Sequence, residues 1–219
     1  MTISVLIVDD QPLARAGLST IVEAESDLDV IGTSADGEAA VEDALMLQPN
    51  VILMDIRMPV LDGIAATRRI LAQQQCAIVL ITTFDDEEYL RDGIAAGASG
   101  FLLKDADPPL VYAAIRSAHR GDALIDPAMT RLLFTREGGP ASDADMKRLA
   151  SLSAREKEVL RGLARGSSNI ELASELFVSS ATIKTHISNV LTKTDSRTRV
   201  QAAAFAYESG FVRPGWLSN

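Results

Sequence analysis

Short apolar segments alternate with helical patterns through the first 121 residues, and this alternation is the feature that most constrains how the chain folds. Segments such as residues 5–8 and 78–81 are apolar at every position, which is typical of strands buried on both faces. Strands that alternate with helices predict a parallel sheet covered by helices on both sides. We therefore predict a doubly wound α/β domain with strands near 3–8, 29–32, 51–54, 77–82 and 100–103, and helices near 12–25, 37–47, 63–73, 86–95 and 108–120.

Acidic residues stand where two of these predicted strands end. Asp9 and Asp10 follow the first strand, and Asp55 follows the third. Because open α/β sheets bind ligands at the carboxyl ends of their strands, we expect the three carboxylates to share one crevice. Three acids that close cannot all be ionised without a cation, which predicts a hard divalent ion such as Mg²⁺. A carboxylate that remains free to attack would make the crevice a phosphoryl-accepting site.

The fourth and fifth predicted strands also end in residues that can bind phosphate. The fourth ends in Thr82 and Thr83, and the fifth is followed by Lys104. A hydroxyl donates a hydrogen bond to a phosphoryl oxygen, and an ammonium neutralises part of its charge. The same sheet edge is therefore expected to hold an acid pair, an acceptor acid, a hydroxyl and a lysine.

The charge of the chain is unevenly distributed. The net charge is −9, but residues 1–122 carry 20 acidic and 8 basic side chains, whereas residues 148–219 carry 6 acidic and 10 basic ones. This asymmetry predicts that only the C-terminal part binds a polyanion. A single cysteine, Cys76, excludes a disulfide framework, and no apolar run predicts a membrane span or a signal peptide, so the expected location is the cytoplasm.

The basic C-terminal part has the pattern of a small helical domain. Ser153 and Ser168 are each followed three residues later by a glutamate, which is the capping box that begins a helix. A connection at 122–147, which contains Gly-Gly-Pro, precedes the domain. Two short helices joined by a tight turn, the second of them polar, predict a helix-turn-helix that enters the major groove of DNA. The predicted helices lie near 154–165, 169–176, 180–193 and 198–209.

The predicted helix near 180–193 has two distinct faces. Four apolar residues recur at helical spacing and should face the core, namely Ile183, Ile187, Val190 and Leu191. The opposite face has two cations, no acid and several short polar side chains, namely Thr182, Lys184, Thr185, Ser188, Asn189, Thr192 and Lys193. Such a face suits the major groove, where cations meet phosphates and small polar groups reach base edges.

The motifs of residues 1–121 resemble the receiver domain of a bacterial two-component response regulator. They lie at 8–10, 54–59, 62–63, 81–86 and 96–104, in the order and at the spacing of that family. The resemblance implies a flavodoxin-like strand order, 2-1-3-4-5, with Asp55 as the phosphoacceptor and Lys104 in contact with the phosphoryl group. Thr82, which lies 22 residues before Lys104 as in the family, is implied to form a switch pair with Phe101, whose ring would move inward on phosphorylation. The implied Mg²⁺ ligands are Asp9, Asp10, Asp55 and the backbone carbonyl of Arg57.

Residues 149–212 resemble the LuxR/FixJ-type helix-turn-helix domain, through motifs at 152–160, 164–166, 168–169 and 182–188. By this resemblance, base edges are contacted by Lys184, Thr185 and Ser188, and phosphates by Asn169, Thr182 and Lys193. The last helix is implied to form the dimer surface on DNA through Val200, Ala203, Ala204 and Tyr207, although packing within the domain is an alternative for the two alanines.

Three residues depart from the family pattern. Ile170 stands where the family usually has a lysine, which removes one expected phosphate contact. Thr194 and Ser196 replace residues that are usually apolar between the last two helices, so we expect that joint to be looser or packed differently.

Both resemblances together identify the chain as a member of the NarL/FixJ-type response regulators. The expected function is that of a DNA-binding transcriptional regulator, not an enzyme, which a histidine kinase phosphorylates on Asp55 and which forms a homodimer when phosphorylated. Two alternatives stay open: a DNA-binding protein whose receiver is only a dimerisation scaffold, and a phosphatase, against which Arg57 stands where a second acid–base residue would be needed. The predicted boundaries are 1–121 for the receiver, 122–147 for the linker, 148–212 for the DNA-binding domain and 213–219 for a tail.

Overall fold

The computed structural model describes residues 2–83, 87–122, 124–125 and 142–212. The chain divides into two compact units, Met1–Leu132 and Leu133–Asn219. The Gly-Gly-Pro segment of the expected linker and the expected tail lie outside the described residues, and the domain boundaries taken from the sequence stay predictions. No helix within the described ranges is both long enough and apolar enough to cross a bilayer.

The first unit is a parallel sheet with helices on both faces. Its strands are β1 (Ile3–Val8), β2 (Leu28–Ser34), β3 (Val51–Asp55), β4 (Ala77–Thr82), β5 (Gly100–Leu103) and β6 (Leu124–Ile125). Its helices are α1 (Pro12–Glu23), α2 (Gly37–Leu47), α3 (Gly63–Leu71), α4 (Glu87–Ala96) and α5 (Pro108–Arg120). All strands are parallel, in the order β2-β1-β3-β4-β5-β6. The predicted doubly wound fold is confirmed, with the first five strands in the expected order.

The sixth strand was not predicted, so the expected count of five strands was too low by one. Helix α5 ends at Gly121, whose φ of 76° turns the chain back towards the sheet, and β6 then pairs with Gly100 and Phe101 of β5. A Cβ at Gly100 would lie only 2.7 Å from the backbone oxygen of Leu124, so a glycine is needed there for β6 to approach. A strand of two residues is too short to show any hydrophobic period, which is why the sequence did not reveal it.

The sheet is buried on both faces, as its uniformly apolar strands predict. Val5 and Ile7 of β1 pack in one cluster with Ile115 of α5, whereas Leu80 of β4 approaches α4 on the opposite face. Apolar side chains therefore fill the interior, and buried polar residues occur mainly where strands end: Asp9, Ser34, Asp55 and Thr82. This arrangement concentrates polar chemistry at the C-terminal edge of the sheet.

The second unit contains five described helices: α6 (Asp143–Ser151), α7 (Ala154–Ala164), α8 (Asn169–Glu175), α9 (Ser180–Thr194) and α10 (Arg199–Glu208). The last four match the predicted helices to within one residue at each end. Helix α6 was not predicted, and it begins inside the segment expected to be a linker. Its only buried residue is Leu149, and Met146 and Leu149 are the only large apolar side chains among its nine residues, which is too few to establish a helical period in a sequence.

Local interactions in the second unit follow the sequence closely. Ser153 and Ser168 both form the predicted capping boxes. Each serine hydroxyl accepts the backbone N–H of the glutamate three residues later, and that glutamate's side chain accepts the backbone N–H of the serine. In α9, Ile183 and Val190 are fully buried in the core, while the predicted outward residues are exposed. These outcomes confirm the division of α9 into an inner and an outer face.

The joint between α9 and α10 is held by hydroxyl groups instead of apolar packing. Thr194 is 2% exposed, and its Oγ1 donates to the backbone oxygen of Val190 at 2.8 Å. Oγ1 of Thr194 also lies 2.9 Å from Oγ of Ser196. Thr194 and Ser196, which depart from the family pattern, are therefore hydrogen-bonded to each other, and the joint is packed differently from an apolar one.

Candidate functional site

The C-terminal edge of the sheet brings together the three acids singled out in the sequence. Asp9 follows β1 and Asp55 ends β3, and these strands are neighbours, with Val8 paired to Met54. Asp9 and Asp55 are 1% and 3% exposed, and Asp10 is half-buried. One carboxylate oxygen from each residue lies within 4.8 Å of the other two. The expected acidic crevice is therefore present.

Lys104 brings a positive charge into this crevice. Its Nζ lies 2.7 Å from Oδ2 of Asp55 and 2.7 Å from Oδ2 of Asp9, but the geometry of a hydrogen bond is met only with Asp55. Burial alone would lower the pKa of Lys104, yet the pairing with the two acids outweighs burial and raises it. Burial raises the pKa of Asp55, and the hydrogen bond from Lys104 offsets that rise only in part. Three acids thus face one lysine, so the crevice favours a further cation.

Two carboxylate oxygens in the crevice have no hydrogen-bond partner among the described residues. They are Oδ2 of Asp9 and Oδ1 of Asp10, both buried. Oδ2 of Asp9 has the Lys104 ammonium as an ion-pair partner at 2.7 Å, and Oδ1 of Asp9 accepts the backbone N–H of Gln11 at 2.8 Å. Within the described part of the chain, Oδ1 of Asp10 is therefore the oxygen with neither a hydrogen bond nor an ion pair. A buried carboxylate oxygen without a partner costs free energy unless a cation binds it. Hard oxygen ligands carrying this much charge fit Mg²⁺. The residues therefore fit the metal that the sequence predicts.

Thr82 and Phe101 lie on neighbouring strands of the same sheet edge. Thr82 ends β4 and is 1% exposed, whereas Thr83 lies beyond the strand and is exposed. Phe101 is fully buried, and a Cβ at Gly93 of α4 would lie 2.7 Å from its Cε1. The ring thus already occupies the inward position beneath α4, in space that only a glycine leaves open. The ring is buried in this conformation, and both its inward movement on phosphorylation and its switch role stay predictions.

The loop after Asp55 is held by contacts that the sequence predicts only in part. A Cβ at Gly63 would lie 2.0 Å from the backbone oxygen of Asp55, so α3 can begin against the end of β3 only with a glycine there. The side chain of Arg57 is exposed and turns towards α4, where its Nε donates to the Tyr89 hydroxyl at 2.9 Å and its guanidinium lies 4.9 Å from the ring centre. The Asp62-Gly63 pair was visible as a motif, but no pattern in the sequence pointed to Tyr89.

The outward face of α9 presents the residues expected to contact base edges. Lys184, Thr185 and Ser188 are all exposed, as is Thr182. Lys184 makes no ion pair with any residue in the described part of the chain. The hydroxyl of Thr182 lies 2.8 Å from Oγ of Ser179, so its orientation is fixed by the helix cap. The exposure of this face is confirmed, and its contacts with DNA stay predictions.

Asn169 and Lys193, expected to contact phosphates, both have partners inside the domain. Asn169 is the first residue of α8, and its Oδ1 accepts from Nη1 of Arg199 at 3.4 Å. Nζ of Lys193 donates to Oε2 of Glu156 at 2.7 Å. Sequence reasoning missed both partners, since each pair joins helices that are far apart in the chain. A phosphate would have to compete with Glu156 for Lys193.

Two family models match the chain. Residues 5–116 match the response regulator receiver domain, and residues 150–206 match the luxR family of bacterial regulatory proteins. The chain belongs to the LuxR-type response regulators. A receiver joined to this DNA-binding domain makes this response regulator a phosphorylation-controlled, DNA-binding transcriptional regulator and not a classical enzyme.

Relatives of this response regulator match it over nearly its whole length. The uncharacterized transcriptional regulatory protein YxjL of Bacillus subtilis is 39% identical over 213 residues, which cover 96% of this chain and 98% of YxjL. The transcriptional regulatory protein LiaR of the same species is 37% identical over 211 residues, which cover 96% of this chain and 99% of LiaR. Among solved structures, the response regulator ChrA of a heme-sensing two-component system is 32% identical, with a TM-score of 0.54 and coverage of 96% and 99%.

The residues of this response regulator that were expected to form a dimer surface are engaged within the domain. Val200 is 2% exposed, and the Tyr207 hydroxyl donates to the backbone oxygen of Ala164 at 3.0 Å. A buried side chain has almost no area to offer a partner, so this conformation does not support a dimer contact at Val200. Packing within the domain, which the sequence offered as an alternative for Ala203 and Ala204, therefore also applies to Val200. Dimerisation through α10 stays a prediction.

Proposed function

We propose that Asp55 is the phosphoacceptor of this response regulator and that its phosphorylation by a histidine kinase controls dimerisation and DNA binding. The observation that carries this proposal is the crevice in which Asp55, Asp9 and Asp10 face the Lys104 ammonium. The proposal is supported by the contact between a nucleophile, Asp55, and a charge-neutralising group, Lys104, at one sheet edge. ChrA, a relative of known structure, is a response regulator of a two-component system, which supports a kinase as the phosphoryl donor.

The proposed transfer uses groups that are in place. An oxygen of Asp55 attacks the phosphorus of a phosphohistidine, the P–O bond forms as the P–N bond breaks, and the imidazole leaves with the electron pair. Lys104 neutralises charge on the phosphoryl oxygens, and the Thr82 hydroxyl donates a hydrogen bond to one of them. A bound Mg²⁺ would supply further neutralisation of the phosphoryl charge. It would be held by Asp9, Asp10, Asp55 and the carbonyl oxygen of Arg57.

The signal then passes from the crevice to α4. Thr82 pairs with Leu103 of β5, the strand that also carries Phe101, and the Phe101 ring packs beneath Gly93 of α4. Movement of Thr82 and Lys104 towards a phosphoryl group would therefore change the position of α4 through β5 and the Phe101 ring. We propose that this change favours a homodimer that binds two related half-sites of double-stranded DNA.

The proposed DNA interface is the outer face of α9 and the start of α8. Lys184, Thr185 and Ser188 would contact base edges, and Thr182 and Asn169 would contact phosphates, whereas Lys193 would keep its ion pair with Glu156. The exposure of the α9 residues and the basic charge of this part of the chain support this assignment. We also propose a cytoplasmic location and no catalytic activity beyond the receiver's own phosphorylation and dephosphorylation.

The experiment compares wild type with Asp55→Asn, with and without beryllium trifluoride and Mg²⁺ as the phosphoryl mimic. Light scattering gives the oligomeric state, and fluorescence anisotropy gives the affinity for duplex DNA. We expect the mimic to produce dimers and tighter DNA binding in wild type alone. The matched control is Asp29→Asn, which changes an exposed acid of β2 and should respond like wild type. Equal DNA binding by wild type and Asp55→Asn, with or without the mimic, would show that the receiver is only a scaffold.

A further inference from the structure

Arg199, the first residue of α10, is a cation buried inside the DNA-binding domain. Only 6% of the residue is exposed, and arginine is rarely buried without specific partners. Its Nη2 donates to the backbone oxygen of Ser167 at 2.6 Å, and its Nη1 donates to Oδ1 of Asn169 at 3.4 Å. Ser167 belongs to the turn between α7 and α8, and Asn169 is the first residue of α8. The guanidinium therefore lies directly behind the residue expected to contact a DNA phosphate.

The contact with Arg199 determines which way the Asn169 amide faces. A guanidinium carries only donors, so it can bind the oxygen of an amide but never its NH₂ group. With Oδ1 held by Arg199, the two N–H groups of Asn169 are left to bind another partner. Asn169 is half-buried, so part of its side chain is accessible. The contact with Arg199 thus leaves the side chain as a hydrogen-bond donor at the surface.

The start of α8 also has a local interaction that does not involve Arg199. The N–H of Ser168 donates to Oε2 of Glu171 at 2.7 Å, and Oγ of Ser168 accepts the N–H of Glu171 at 3.3 Å. Hydrogen bonds from Ser168 are the chief reason that the pKa of Glu171 is lowered, and the charge of Arg199 only adds to them. The capping box therefore begins α8, and Arg199 adds one contact with the backbone of Ser167 and one with the Asn169 amide.

We propose that Arg199 is a positioning residue for DNA binding, which holds the Asn169 amide with its donors directed at a DNA phosphate. This inference rests on the proposed function, because it requires that Asn169 contacts DNA. A donor fixed before binding does not lose side-chain freedom when the complex forms, so affinity rises. Phosphates carry no sequence information, so the effect applies to any duplex. The test therefore does not require the natural binding site.

The test is a double-mutant cycle on the full chain with the phosphoryl mimic, using a mixed-sequence duplex as the probe. Asn169→Ala removes the donor, and Arg199→Lys keeps the charge but loses the planar fork that binds two acceptors. We expect Asn169→Ala to weaken binding roughly tenfold, the lower end for one hydrogen bond to a charged group. Arg199→Lys should weaken binding about threefold in wild type and not measurably in Asn169→Ala. Its thermal destabilisation should be the same in both backgrounds, because the Ser167 contact is lost in each.

The matched control is Arg161→Lys, which alters an exposed arginine of α7 whose guanidinium lies 4.8 Å from the Phe211 ring. It should change affinity in neither background. Equal weakening by Arg199→Lys in both backgrounds would overturn the proposal, since that result describes a purely structural arginine. Unchanged affinity in Asn169→Ala, with wild type still binding, would overturn the positioning role and the proposed Asn169 contact, and would leave phosphorylation-controlled DNA binding intact. Absence of DNA binding by wild type with the mimic would overturn both.

Discussion

Lys193→Met should lower the stability of the DNA-binding domain while leaving the salt dependence of DNA binding unchanged. In the structure, Oε2 of Glu156 accepts from Nζ of Lys193 at 2.7 Å and from the backbone N–H of Ser153 at 2.8 Å. The side chain of Glu156 is 6% exposed and that of Lys193 is 38% exposed. Replacing the ammonium by a methionine would leave the buried carboxylate without the cation that it is paired with.

The size of the loss follows from the burial of the pair. Exposed ion pairs contribute up to about 1 kcal/mol, whereas removing one partner of a fully buried pair costs about 3–5 kcal/mol. Because only the glutamate is buried here, we expect an intermediate loss of about 2 kcal/mol in the free energy of unfolding. For a domain of this size, that loss lowers Tm by roughly 10 °C.

The pH dependence of this loss has a definite sign. The hydrogen bond from Lys193 is the largest cause of the lowered pKa of Glu156, whose ordinary value is 4.5. A pKa that is lower in the folded state means that the stabilisation is complete above the ordinary value and is lost as pH falls through the lowered one. The difference between wild type and Lys193→Met should therefore be full at neutral pH and shrink on acidification below that ordinary value.

Urea titration read by hydrogen exchange of α9 peptides measures this domain separately from the receiver. The matched control is Lys184→Met, since Lys184 is exposed on the same helix and forms no ion pair with a described residue. The control should weaken DNA binding with little change in α9 exchange. If Lys193 instead contacts a phosphate, its replacement would reduce the slope of affinity against salt by about 0.9. That reduction, together with unchanged α9 exchange, would refute the structural role of the ion pair.

Gly63→Ala would place a Cβ 2.0 Å from the backbone oxygen of Asp55, so we expect a loss of about 1–3 kcal/mol in unfolding free energy and slower phosphorylation by acetyl phosphate in a phosphate-affinity gel. Wild-type rates in that variant would contradict the close approach. Ile170→Lys would put a cation at a residue that is 76% exposed, and should steepen the salt dependence of duplex binding by about 0.9 in anisotropy titrations. Burial raises the pKa of Cys76 to about 11, so at pH 8 its reaction with Ellman's reagent should be roughly a hundredfold slower than that of free cysteine. A rate equal to that of free cysteine would show that the thiol is not buried in solution.

The fold was predictable from the sequence wherever burial imposes a period or a run. Strands buried on both faces must be apolar throughout, so β1 and β4 could be located to the residue. The capping boxes at Ser153 and Ser168 located α7 and α8 in the same way, because capping is a local interaction. Strand β6 has neither signal because it is two residues long, and α6 has a serine cap, Ser142, without the glutamate of a capping box and buries only one leucine. Their positions depend on tertiary contacts instead.

The candidate site was also predictable from the sequence only in part. Asp9, Asp55 and Lys104 were predictable as neighbours because each follows a strand of one parallel sheet, and topology alone brings strand ends together. The partners of Arg57 and Asn169 were not predictable, since Tyr89 and Arg199 lie on helices 32 and 30 residues away. Such pairs depend on the angle and depth at which helices pack, which no local pattern encodes.

The position of Lys104 links the proposed chemistry to the proposed switch. Lys104 follows β5 directly, three residues after Phe101, so a short rigid strand joins the ammonium to the ring beneath α4. At present the ammonium is shared by Asp9 and Asp55. Phosphorylation of Asp55 would replace one carboxylate charge by a phosphoryl group with more charge placed farther out, and the ammonium would follow it. Phe101 is packed so closely against Gly93 that a Cβ there would lie 2.7 Å from the ring. A shift of β5 towards the phosphoryl group would therefore displace α4 together with the ring. The tight contact at Gly93 is therefore what would turn a change of charge in the crevice into a displacement at the surface.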